Sequence, residues 1–140
     1  MRRDQHGHAV AIEAAIILPA LIALVALVIF GARVALADQA LGAAAAGAAR
    51  AASLERSAVS AEAAAKAAVE ASLAGSLPEC HEPRVSLDVE AVGTQLGTSA
   101  TVRVTVSCRV PAGIGFGLPA EMERSQTRTA PVDAYRSREP

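Results

Sequence analysis

The sequence predicts an α+β chain: one N-terminal transmembrane helix continuing into an alanine-rich helical stalk, a second short helix, then a small antiparallel β-hairpin or sheet. Three observations carry this expectation. Residues 14–32, AAIILPALIALVALVIFGA, hold no charge. Residues 36–75 hold 19 alanines in 40 positions and no proline. Beyond Pro83 the apolar residues recur at every second position. Composition narrows the function classes as well. The 140 residues include 34 Ala, no Trp, one Tyr and two Phe, so a bulky, self-sufficient core is not expected. Thirteen basic residues stand against 14 acidic ones, which leaves no basic footprint for nucleic acid.

The apolar run comes first. Nineteen residues rise about 28 Å as a helix, close to the roughly 30 Å hydrocarbon core of a bilayer. A helix satisfies its own backbone there, and Pro19 is tolerated as a kink. Arg2 and Arg3 precede the run and favour a cytoplasmic N-terminus. Arg33, just after it, can snorkel to the interface. Cys80 and Cys108 both follow the run, as an oxidising exterior would use them. The chain thus divides into a cytoplasmic tail or leader (1–13), the transmembrane helix (14–32), the alanine-rich stalk and second helix (33–75), and a small extracytoplasmic β-rich domain with a C-terminal tail (76–140). This makes a single-pass cell-membrane protein in contact with membrane lipid. A rival reading takes Ala35-Leu36-Ala37 before Asp38 as a signal-peptidase site, giving a secreted protein released after Ala37. Against it, a signal core runs about 7–15 residues, shorter than the 19 here.

Alanine is the best helix former, so the first helix is expected to run on to about Glu55 or Arg56. Ser57 suits the N-cap of a second helix, Ala58 to Ala74. Gly75 fits the position after its end, and Pro78 follows as a stop. Glu62 and Lys66 stand four apart in the favourable order. Gly42 and Gly47 interrupt the alanines, and Ala43, Gly47 and Ala51 form a small-residue ridge suited to close approach. The plainer alternative is low-complexity composition with no partner.

Val85, Leu87, Val89 and Ala91 then alternate with polar residues, as do Val102, Val104, Val106, Cys108 and Val110. Joined by the loop Gly93 to Ser99, they read as a hairpin. A lone hairpin is marginal, so its apolar face needs a cover, for which the second helix is nearest. Gly113 to Gly117 reads as an apolar loop, and Glu121–Thr129 as a polar edge strand. A Cys80–Cys108 disulfide would tie the end of the second helix to the second strand. A zinc site there lacks ligands, since His81 is the only histidine after the span. A reactive thiol has no base beside it.

No catalytic motif stands in the chain: no G-x-S-x-G, C-x-x-C, H-E-x-x-H or phosphate-binding glycine loop. The expectation is a non-enzyme without cofactor or metal; His6 and His8 read as solvated residues of the tail. Glu13 is the sharp feature, since a carboxylate at the head of an apolar helix is costly and marks a function or a partner. It reads equally as an interfacial residue that reaches the headgroups.

The order of parts resembles the TadE-like minor pseudopilins of the tight-adherence (Flp type IV) pilus apparatus, of the actinobacterial type. Gly7-His8-Ala9-Val10-Ala11-Ile12-Glu13 runs into Ala14-Ala15-Ile16-Ile17-Leu18-Pro19, with the Glu and Pro six apart. Ala48-Ala49-Arg50-Ala51-Ala52, Cys80, Cys108-Arg109-Val110-Pro111 and Val132-Asp133-Ala134-Tyr135-Arg136 continue the likeness. The resemblance implies a structural, membrane-anchored pilus-assembly component. Its partners would be other pilin-like or pilus-assembly subunits, further copies of itself among them. Glu13 would set subunit registration. It further implies processing beside Gly7 or His8, where cleavage after His8 makes Glu13 the fifth residue and cleavage after Gly7 the sixth. An extracytoplasmic binding module is the remaining alternative.

Overall fold

The computed structural model describes residues 5–76, 79–88, 100–111 and 121–133; within α1, side chains are described at Glu13 and from Ala15 onward. In chain order the elements are α1 (Gln5–Ser53), α2 (Ala58–Leu73), β1 (His81–Asp88), β2 (Ala100–Pro111) and β3 (Glu121–Val132). The architecture is α+β, with a long apolar N-terminal helix, a second helix and a three-stranded antiparallel sheet. The chain forms two compact units, Met1–Ala32 and Arg33–Pro140.

The first unit is the apolar head of α1. Pro19 lies inside the helix without ending it. Its large aliphatic side chains are largely exposed, Ile16 at 69% and Leu27 at 64%. Burying one such side chain is worth about 1.5–3 kcal/mol, so a whole helix surface of them calls for an apolar surrounding. By length and composition α1 can cross a membrane, and none of its most apolar window is buried.

The second unit is built from alanine and valine. Ala37, Leu41, Ala45, Ala48, Ala49 and Ala52 of α1 join Ala61, Ala65 and Val69 of α2 in one buried cluster. The inward residues of β2, Val102, Val104, Val106, Cys108 and Val110, complete it. The alanine-rich extension of α1 is therefore also a core element, and the sheet is covered by both helices rather than by α2 alone. Small helix residues make this possible: alanine loses no rotamer entropy and lets the layers close, while the β-branched valines supply the bulk. A core exists here without aromatic residues because the layers are thin. The ridge Ala43–Gly47–Ala51 lies off this cluster, with Ala43 and Gly47 exposed and Ala51 half-buried.

Local chemistry accounts for the boundaries. Ser57 caps α2: its hydroxyl accepts from the Ser60 amide at 3.2 Å, and the Ser60 hydroxyl accepts from the Ser57 amide at 3.4 Å. After Leu73, Gly75 takes φ +75°, the left-handed turn that glycine adopts without penalty. Lys66 pairs with Glu62 at 2.6 Å on the exposed face.

The strands are ordered β1-β2-β3, all antiparallel, with β2 central. Val85 opposes Val106 and Leu87 opposes Val104, as the alternation requires. β3 pairs along its whole length, from Glu121 opposite Pro111 to Val132 opposite Ala100. It is an edge strand, which suits its charges and Pro131. Val89, Ala91, the loop Gly93 to Ser99, the apolar loop Gly113 to Gly117, Pro78 and Tyr135 lie outside the described residues.

Candidate functional site

Two places hold the residues that the sequence singles out. The first is the head of α1. Glu13 is exposed there, six residues before Pro19 on a continuous helix. Among the described residues no hydrogen bond or ion pair reaches it. Gly7 and His8 belong to the same helix by their backbone, and their side chains lie outside the described residues. A carboxylate on an apolar helix is a charge-assisted acceptor, and none of the described residues supplies its donor.

The second place is the joint between α2 and the sheet. The fold brings Cys80 and Cys108 to disulfide distance, with Cα atoms 5.6 Å apart across 28 positions of sequence. Cys108 is buried in the core and Cys80 packs against it. Beyond Cys80 the register of β1 shifts between His81 and Arg84, a bulge in which Glu82 takes φ 50°. The Glu82 carboxylate forms an ion pair with Arg109 at 3.2 Å, which ties the bulge to β2. His81 stands 3.8 Å from Glu79. No group of three or more metal-ligating side chains occurs among the described residues.

A third contact was not anticipated. Asp38, one turn into the second unit, accepts the Nε–H of Arg124 at 2.9 Å, and its second carboxylate oxygen pairs with the Arg124 Nη2. This is a bidentate fork, the strong form of the arginine–carboxylate pair. Both side chains are about two-thirds covered. The Arg124 hydrogen bond holds the Asp38 carboxyl below the usual carboxylate range, against the opposing effect of burial; the charge of Arg124 and a hydrogen bond from Gln126 add to the lowering. Asp38 in turn raises Arg124. One turn further along α1, a Cβ at Gly42 would come within 3.0 Å of the Arg128 guanidinium. Glycine there leaves room for a second arginine of β3 against the helix. Asp38 lies 86 positions from Arg124, so no local pattern announces the pair.

Residues 9–50 match the family model of TadE-like proteins. The match includes Glu13, Pro19 and most of the alanine run, and agrees with the family that the N-terminal motif resembles. It covers the membrane-type helix and the helical part of the second unit up to Arg50, less than a third of the chain. Asp38 falls inside the TadE-like segment, and the cysteine pair and the sheet fall beyond it. No curated protein and no solved structure matches the chain. The TadE-like family is structural and pilus-associated, and the candidate membrane helix found here fits a pilus-associated component with a membrane anchor.

Proposed function

We propose that this chain is a minor pilin-like subunit of a Flp type IV pilus or a related assembly system. One helix anchors it in the membrane. Its N-terminus is cytoplasmic, and its second unit lies outside, closed by a Cys80–Cys108 disulfide. The observation that carries the reading is Glu13: an exposed carboxylate, without a partner among the described residues, at the head of an unburied apolar helix, six residues before Pro19, within the segment that matches the TadE-like family model. Its role is registration. A charge near hydrocarbon costs about 2.5–3.5 kcal/mol at mid-membrane and less at the interface. A hydrogen-bond donor from a neighbouring subunit offsets that cost only in one alignment, which fixes register between otherwise slippery apolar helices. The N-terminal amine freed by processing after Gly7 or His8 is such a donor.

Release after Ala37 is disfavoured by the place of that bond. Ala37 is buried in the core and Asp38 holds Arg124, so a cut there removes part of the second unit.

The test replaces Glu13 by Ala and compares, in one preparation, the membrane level of the protein with its recovery alongside other pilus components. Unchanged membrane level with reduced co-purification is expected, and Glu13→Asp should fall between. Unchanged partner recovery would reduce Glu13 to an interfacial residue. Mass spectrometry of the native N-terminus identifies processing: a start at His8 or Ala9 fits the pilin pathway, whereas a start at Asp38 would replace this reading with secretion.

A further inference from the structure

Ala35-Leu36-Ala37 before Asp38 has the small residues of a signal-peptidase site. Only Arg33 and Val34 separate it from the uncharged run that ends at Ala32. The fold shuts this motif. It lies inside the unbroken helix α1, so the backbone must open before a peptidase reaches the bond. Ala37 is 3% exposed and belongs to the buried cluster, whereas Ala35 is exposed. On the other side of the bond, Asp38 is held by both prongs of Arg124. Four residues further on, Arg128 lies against Gly42. Both arginines belong to β3, the last strand in the chain. Until β3 is made and docked, Asp38 lacks this partner. An alanine-rich helix opens locally at modest cost unless tertiary contacts hold it, so the contact at Asp38 sets how often the bond is exposed.

From this we infer that the Ala37–Asp38 bond is a conditional cleavage site, shut by the docking of β3 on α1. The partner is a membrane signal peptidase. Water adds to the Ala37 carbonyl carbon, the C–N bond to Asp38 breaks, and the new ends are an Ala37 carboxylate and an Asp38 amine. Folding and cleavage compete for the same segment. A chain whose second unit closes keeps its apolar helix. A chain whose second unit is truncated or misfolded is cut and parted from it. The inference rests on the proposed membrane anchoring and adds a condition for keeping the anchor. The apolar run has 19 residues, longer than a signal core of about 7–15, and that length holds the uncut chain in the membrane once the site is shut.

The test exchanges the two charges in the full chain, expressed in a host whose membrane carries signal peptidase. Mass spectrometry reads the N-termini, and blotting reads the membrane-bound fraction. Wild type should stay whole at Ala37–Asp38. Arg124→Asp and Asp38→Arg each set like charges face to face, and each should yield several-fold more of a fragment that starts at residue 38. The double variant Asp38→Arg/Arg124→Asp restores an ion pair and should return the fragment toward the wild-type level. It carries the same residue after the bond as Asp38→Arg, so its protection reads the pair rather than the peptidase's preference. Ala35→Leu, at an exposed position, should abolish the fragment when added to Arg124→Asp, because the motif needs a small residue there; ragged cleavage of a merely unfolded chain would persist. Single variants that stay uncut in the membrane, or a double variant cut as fully as the singles, would overturn the inference while the anchor stands. Fragments that ignore Ala35→Leu would do the same. A wild type that starts at residue 38 throughout would overturn the anchor and the inference together.

Discussion

The two parts of α1 share one backbone and have opposite surroundings. Residues 15–32 expose nearly every large side chain, and none of the 18-residue apolar window is buried. Residues 33–53 bury Ala44, Ala45, Ala48 and Ala49 completely. Both stretches are apolar and both are helical, so helix propensity does not separate them. Side-chain size does. Leucine, isoleucine and valine offer area that any apolar medium can cover, with no shaped partner. Alanine offers little area and close approach, which has value only where another element fits against it. Large residues thus mark the part that faces lipid in the proposed anchor, and small ones mark the part that faces protein.

The strongest way to break this comparison is to remove what holds the second unit alone. Closing a loop of the 28-position separation between Cys80 and Cys108 is worth about 3–4 kcal/mol on the chain-entropy model. Cys108→Ser should therefore loosen the second unit and leave the first untouched. Amide exchange resolves the two: protection should fall across 100–111 and stay unchanged across 15–32. Parallel loss in both stretches would mean that the two units are one cooperative body. Thiol labelling of the unreduced wild-type protein should find no free cysteine.

A smaller effect sharpens the same contrast within α1. Ala48 is fully buried, and added methylenes in a packed core cost about 1–3 kcal/mol. Ala48→Leu should lower the melting temperature of the second unit by several degrees, whereas Leu24→Ala in the exposed stretch should leave it in place. Equal tolerance at both positions would show that the alanine face is loosely packed.

How much of this could be read beforehand depends on contrast in the sequence. The apolar helix, the alternation at Val85–Leu87 and Val102–Val110, the Ser57 cap and the Gly75 turn each follow an abrupt change of pattern, and the structure has these features where expected. Glu13 was legible as a charge against an apolar background. Within the alanine run the periodicity fades, because nearly every position has the same side chain. The ridge through Ala43, Gly47 and Ala51 was therefore visible, yet the buried face runs through Leu41, Ala45, Ala48 and Ala52. Leu41 was the one bulky residue that could have marked it. Arg124 alternated among polar neighbours on an edge strand and looked solvated, since its partner is 86 positions away.

That pair supports the smallest of the expected effects and the most specific. Arg124 holds the Asp38 carboxyl below its ordinary range in the folded protein. In the unfolded chain the carboxyl returns to about 3.9. Between those two values the unfolded state binds more protons than the folded one, so stability rises with pH there. The contribution is complete above the unfolded value and disappears as pH falls through the folded one. Asp38→Asn removes the charge while keeping the shape. The melting temperature of wild type should exceed that of Asp38→Asn by a few degrees near pH 6, and the gap should begin to close below about pH 4. Other carboxylates titrate in the same range but are common to both proteins, so the difference isolates Asp38. Arg124→Lys should show a smaller gap throughout, because an ammonium keeps the charge and loses the two-pronged geometry. A gap that stays constant down to pH 2 would mean that the substitution acts through shape or packing rather than through the ion pair.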